Sequence, residues 1–130
     1  MGSFHLITST HWGLEPLRID IEVDIAPGLP KFTIVGLPDT AVNESRERVR
    51  AAIKNSGFSF PRTRITVNLA PADVRKSGPS FDLAIALCLL CAQGAIDNPE
   101  ELQNYVILGE LALDGRTRAI HGALLGAQLA

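Results

Sequence analysis

The sequence predicts a mixed α/β domain, and three patterns carry that prediction. Ile19, Ile21, Val23 and Ile25 alternate with Asp20, Glu22 and Asp24, the period of two that marks a half-buried strand with an acidic outer face. Val42, Val49 and Ile53 recur at helical spacing in a segment otherwise rich in charge, which predicts an amphipathic helix. Leu83 to Ala92 is apolar on nearly every side, as a helix buried in the centre of a domain must be. A chain of 130 residues has room for one such core, so a single domain is expected.

The elements follow in order. Met1, Gly2 and Ser3 read as a leader outside the fold, which leaves residues 4–130 as the domain. The strand from Leu17 to Ile25 is broken at Pro27, Gly28, Leu29 and Pro30, and Lys31 to Val35 reads as a partner strand returning as an antiparallel hairpin. Asp39 or Thr40 is suited to cap the first helix, which Asn55, Ser56 and Gly57 stop. Its outer face is expected to carry Glu44, Arg46, Glu47, Arg48 and Arg50, with Glu44 four residues before Arg48 for mutual support. Ile65, Val67 and Leu69 mark another strand. Ser80 is placed to cap the apolar helix, and Asp82 lies in its first turn, where the helix dipole favours negative charge. Beyond the polar stretch Asp97 to Asn104, Tyr105 to Leu113 reads as a strand that turns at Asp114 and Gly115 and returns along Arg116 to Ile120. Gly122 to Ala130 resembles the start of a third helix cut before its end, which predicts a piece of a longer protein.

Composition excludes several classes of function. Apolar residues at 46% and charged residues at 20% describe a chain that folds, and a net charge of −2 offers no general attraction to nucleic acid or anionic membrane. Contact with a polyanion therefore has to come from local clustering of cations. No apolar run approaches the roughly 20 residues needed to span a bilayer, so no membrane partner is expected. Cys88 and Cys91 lie mid-helix among leucines, without the further ligands that zinc requires and without the exposed helix N-terminus that activates a redox thiol. They read as buried reduced thiols, in keeping with a cytoplasmic protein. His5, His11 and His121 are too scattered to propose a metal site, and Asp20, Glu22 and Asp24 are explained by an outward polar face.

Three blocks carry a resemblance. The stretch from Pro27 to Gly57, PGLPKFTIVGLPDTAVNESRERVRAAIKNSG, that from Arg64 to Leu83, RITVNLAPADVRKSGPSFDL, and that from Gly109 to Gly115, GELALDG, together closely resemble the ComM/YifB family of Mg-chelatase-like proteins. The resemblance covers nearly everything after about Leu14, far more than a short motif. It implies a fold similar to the Lon proteolytic domain and the RadA C-terminal domain. That fold is an α/β (α+β two-layer) sandwich containing a left-handed βαβ crossover, a handedness that pattern alone would not suggest.

Three functional expectations follow from the resemblance. Lon-type proteases carry their nucleophilic serine in a Gly-Pro-Ser segment at this strand-loop-helix junction, and Gly78, Pro79 and Ser80 match it. A serine needs a base, and the position corresponding to the Lon lysine falls on Leu124, so no catalytic role is expected. Lys76 resembles a Lon loop lysine that is not catalytic, and Phe81 and Asp82 replace the small residues that follow the Lon serine. No Gly-x-x-x-x-Gly-Lys-Ser/Thr loop occurs, so ATP and Mg²⁺ are expected in an AAA+ module beyond Ala130 and no cofactor in this part. The expected role is therefore non-catalytic: ring assembly and DNA handling in a hexameric ATPase of branch migration during recombination and natural transformation. Its partners would be the rest of its own chain, neighbouring subunits, and single-stranded or branched DNA. Charge alone, apart from the resemblance, makes Arg46, Arg50, Arg62, Arg64, Arg75, Lys76, Arg116 and Arg118 candidates for phosphate contact if they converge, the alternative being a solvated helix face paired with Glu44 and Glu47. No stacking aromatics are foreseen near them to make a single-strand platform. The enzymatic alternatives are a residual Lon-like hydrolase using Ser80 and a magnesium-chelatase-type subunit.

Overall fold

The computed structural model describes residues 2–12, 15–76 and 78–118. Its centre is a four-stranded sheet in the order β1-β2-β4-β3, made of β1 (Gly2–Trp12), β2 (Glu15–Ala26), β3 (Lys31–Val35) and β4 (Arg64–Ala70). Two helices, α1 (Thr40–Asn55) and α2 (Asp82–Ala92), pack against it, α2 on β1 and β2, α1 on α2 and β3. A 3-10 helix (Pro99–Asn104) and a two-stranded ribbon, β5 (Glu110–Leu111) with β6 (Thr117–Arg118), complete the described chain. The architecture is α+β, as the patterns predict.

The alternation in β2 does what its period requires. Ile19, Ile21, Val23 and Ile25 are buried, while Glu22 and Asp24 are exposed. Ile65, Val67 and Leu69 of β4 enter the same core, with Phe32 and Ile34 of β3. From the helices come Val42, Val49 and Ile53 of α1 and Ala84, Ile85, Cys88 and Leu89 of α2. Cys88 and Cys91 are free and buried, and burial pushes the Cys88 thiol up to about 12.

The expected hairpin between β2 and β3 does not form. β2 pairs antiparallel with β1 on one edge and with β4 on the other, so neither edge is left for β3, which lies parallel to β4 instead. Strand spacing explains why a short Pro/Gly connection still suffices. Residues 27–30 can reach about 13 Å when extended, enough to step across two strand spacings of about 4.8 Å each. The resulting β3–α1–β4 unit is a parallel crossover whose strands are adjacent in the sheet.

Two further expectations change. Gly2 and Ser3, expected outside the fold, begin β1 and pair with Ile25 and Asp24 of β2, and a Cβ on Gly2 would meet the Ala92 carbonyl at 2.5 Å. The sequence carries no clear strand signal here because Phe4, Leu6 and Ile7 place apolar side chains on both faces, which blurs the period of two. The expected strand from Tyr105 to Leu113 is reduced to a bridge between Val106 and Ile7 and the two residues of β5. Gly109 interrupts it by exchanging backbone bonds with the start of α2: its N–H donates to Ser80 (3.0 Å) and its carbonyl accepts from Leu83 (3.0 Å). The Asp114–Gly115 turn forms as expected, with the Ala112 N–H on the Arg116 carbonyl at 2.8 Å. The third helix expected from Gly122 lies outside the described residues.

Candidate nucleic-acid interface

Helix α1 organises both charged sites. Asp39 caps it as expected, its carboxylate accepting from the Val42 N–H at 2.8 Å and from the Gly78 N–H at 3.2 Å. Gly57, at φ 89°, lets the chain leave the helix in a left-handed turn, and the Phe58 N–H caps the Ile53 carbonyl at 3.1 Å.

Arg48 does not belong to the outer face. Its guanidinium turns inward to the fully buried carboxylate of Asp82, with Nε at 2.6 Å and Nη2 at 3.1 Å, and Nη2 also donates to the Ala41 carbonyl at 2.8 Å. Ser45 donates its hydroxyl to the same carboxylate, and the Leu111 N–H does so at 3.1 Å. Asp82 thereby ties α1, α2 and β5 together, and its bond to Arg48 raises the guanidinium pKa against the pull of desolvation. Glu44 contributes only a distant contact, 3.8 Å from Arg48. Asp82 had read as a dipole partner because its buried acceptors serve elements distant in sequence.

The Gly78–Pro79–Ser80 junction differs from its reading as a helix cap. α2 starts at Asp82 with Phe81 at the N-cap position, and no side chain caps it. The Ser80 carbonyl is engaged by Gly109, and among the described residues no hydrogen bond reaches its hydroxyl. Lys76 is fully buried, with Nζ donating to the Pro71 carbonyl, and desolvation lowers its pKa. Its ammonium is thus turned toward a backbone carbonyl and away from any phosphate outside. Leu124, at the place of the Lon lysine, lies outside the described residues.

The remaining cations divide between the two ends of the sheet. Arg75, exposed, follows β4 at the end where Lys76 is buried. At the opposite end, the last turns of α1, the first residues of β3 and β4 and the segment 58–63 enclose an open groove of about 920 Å³. Lys31, Arg50, Lys54 and Arg62 line it together with Phe32, Phe58 and Phe60, and no carboxylate is among the described lining residues. The Arg50 guanidinium lies 5.4 Å from the centroid of the Phe60 ring, which tilts against Phe32 at 5.7 Å. Phe58 is 41% exposed, and Gln93 holds the segment by donating to the Ser59 carbonyl at 2.9 Å.

The structure thus brings Arg50 and Arg62 together and adds Lys31 and Lys54, which sequence reasoning had not selected. Arg64 is exposed at the same end, paired in register with Lys31. Arg46 is half-buried, donating to the Asn43 carbonyl at 3.1 Å and the Phe32 carbonyl at 3.3 Å. Arg116 is exposed and paired with Asp114 at 3.2 Å. Its turn rests on the end of α1 through Asn55, which donates to the Leu113 carbonyl at 2.7 Å. Arg118 is in β6, and its side chain lies outside the description. Aromatic rings do stand beside the cations, contrary to expectation. The signal for them was Phe58 and Phe60, two residues apart just after the basic last turn of a helix.

A family model, subunit ChlI of Mg-chelatase, matches residues 21–130. The chain belongs to this Mg-chelatase-like family, in the group that contains YifB and ComM. It is 50% identical over 115 residues to the uncharacterized protein YifB of Salmonella typhimurium, covering 88% of this chain and 22% of that protein. The uncharacterized YifB of Escherichia coli is 48% identical with the same coverage. Competence protein ComM of Haemophilus influenzae is 45% identical over 119 residues, 89% of this chain and 23% of that protein. The chain spans about a fifth of the length of these curated relatives, 22–23%. Among the described residues, no helix is long and apolar enough to cross a membrane.

Proposed function

We propose that this chain is a non-catalytic domain of a ComM/YifB-like AAA+ ATPase, in which it supports ring assembly and guides DNA during branch migration. ATP and Mg²⁺ belong, in this reading, to the ATPase module of the whole protein, and the β3–α1–β4 unit is the left-handed crossover of a Lon-like domain. The relative named as a competence protein supports the setting of natural transformation.

The observation that carries DNA contact is the groove where Lys31, Arg50, Lys54 and Arg62 meet without a lining carboxylate. A chain of net charge −2 attracts no polyanion as a whole, so such segregation gives it one face with the complementary sign. Lys54 answers the negative end of the α1 dipole, but Lys31, Arg50 and Arg62 come from β3, the preceding helical turn and the loop, where that dipole asks for nothing. The hydrolase alternative gains no support from Lys76, whose ammonium is engaged by Pro71.

Anisotropy of labelled single-stranded and forked DNA, titrated with this chain at several salt concentrations, tests the reading. The expected result is saturable binding that weakens steeply with salt, with a log–log slope of about −3 for four phosphates on a single strand. Absence of binding at low salt would remove DNA contact from this domain and leave ring assembly as its role.

A further inference from the structure

We infer that the groove at the end of α1 takes an unpaired base of single-stranded DNA, stacked on Phe58, with the flanking phosphates held by Lys54, Arg62 and Lys31. The inference rests on the reading of this domain as a DNA-contacting one and names the form of DNA that the site fits.

The reason lies in how the aromatic residues are placed. A surface built only for phosphates needs cations and no rings, and a duplex hides the faces of its bases within the stack. This groove instead sets Phe58, Phe60 and Phe32 among the cations. Phe32 is buried, and Phe60 is half-buried beside Phe32 and Arg50. Phe58 remains 41% exposed in the same lining. Burial of this ring by a base would remove apolar surface from water and add a π-stack that tolerates any base. The Arg50 guanidinium, held over the Phe60 ring, is a further planar group in the same lining.

The site is also pre-organised. The Gly57 turn and the Phe58 N–H bond to Ile53 fix the backbone of Phe58, and Gln93 fixes that of Ser59. A second depression of about 500 Å³ shares residues 59–63 with the first and adds Ile25, Ala92 and Gln93 to its lining. Arg62 borders both, so a strand crossing the segment passes one cation from the first depression to the second.

The experiment compares a short labelled oligothymidylate with an abasic oligomer of the same length and with a duplex, each at fixed salt, for the natural chain and for Phe58→Ala. Oligothymidylate is expected to bind the natural chain about 5- to 100-fold more tightly than the abasic strand, with Phe58→Ala removing most of that difference and leaving abasic binding unchanged. A second variant, Phe58→Trp in a Trp12→Phe background, gives a direct signal: oligothymidylate quenches its fluorescence and the abasic strand does not. Equal binding of both strands, with no quenching, overturns the inference while leaving phosphate contact intact. Tighter binding of duplex than of oligothymidylate also overturns it. Failure of every DNA to bind at low salt removes the underlying reading as well.

Discussion

Arg48 and Arg50 lie two residues apart on α1, yet the helix turns one into the molecule and the other out of it. Arg48 is 19% exposed and closes on a carboxylate with no exposure at all, whereas Arg50 is 40% exposed, stands beside the Phe60 ring and has Glu47 as a loose neighbour at 3.7 Å. Two residues along a helix rotate a side chain by about 200°, which separates a pair that charge alone makes look equivalent. A half-buried cation closed on a buried carboxylate is held by its partners and links α1 to α2. A groove cation keeps its capacity for an external anion.

The largest effects should come from the buried region. Arg48→Met leaves Asp82 buried without its main counter-charge and is expected to cost about 3–5 kcal/mol, read from the urea midpoint. A loss below about 1 kcal/mol would mean that Asp82 reaches solvent and that the two regions differ less than the geometry implies. Ser45→Ala, which removes one of several donors to the same carboxylate, should cost about 1–3 kcal/mol.

The next effect concerns the cap that ties the start of α1 to the Gly78 loop. Asp39→Ala removes the acceptor of two backbone N–H groups and should cost about 1–2 kcal/mol, with little change in DNA affinity, because this end of α1 lies opposite the groove.

A pH prediction follows from Cys88. Burial raises its thiol to about 12 in the folded chain, so the folded state holds the proton more tightly than the unfolded one. The stabilisation is complete below the ordinary thiol pKa of 9.0 and is lost as pH rises from there toward 12. Native Cys88 should therefore resist alkylation at mildly alkaline pH and react once urea unfolds the chain. Rapid alkylation of the native protein at that position would show the core to be open.

The smallest stability effects belong to the groove. Lys54→Gln and Arg62→Gln alter exposed side chains and should shift stability by no more than about 0.5 kcal/mol each, while weakening binding to single strands.

What was legible in the sequence had a local cause. The inward positions of β2 and β4, the cap at Asp39, the stop at Gly57 and the burial of α2 each follow from a period or a turn residue confined to a few neighbours. Order within the sheet was not local: Lys31 to Val35 carries the same strand pattern whether it pairs with β2 or β4, and only the occupied edges of β2 decide. The same limit governs the sites. Arg48 and Asp82 are 34 residues apart, and nothing near either shows that they meet. The groove was half legible, since Arg50 and Arg62 were named from charge, while Lys31 and the phenylalanines acquire their part only when β3 and the segment 58–63 come together.

The most direct test of the division along α1 is a double variant, Lys54→Gln with Arg62→Gln, measured for urea midpoint and for salt-dependent anisotropy with single-stranded DNA. The account predicts an unchanged midpoint, weaker binding, and a log–log salt slope shallower by about 1.4, two phosphate contacts on a single strand. A folded double variant that binds as tightly as the natural chain, with the same slope, would contradict it.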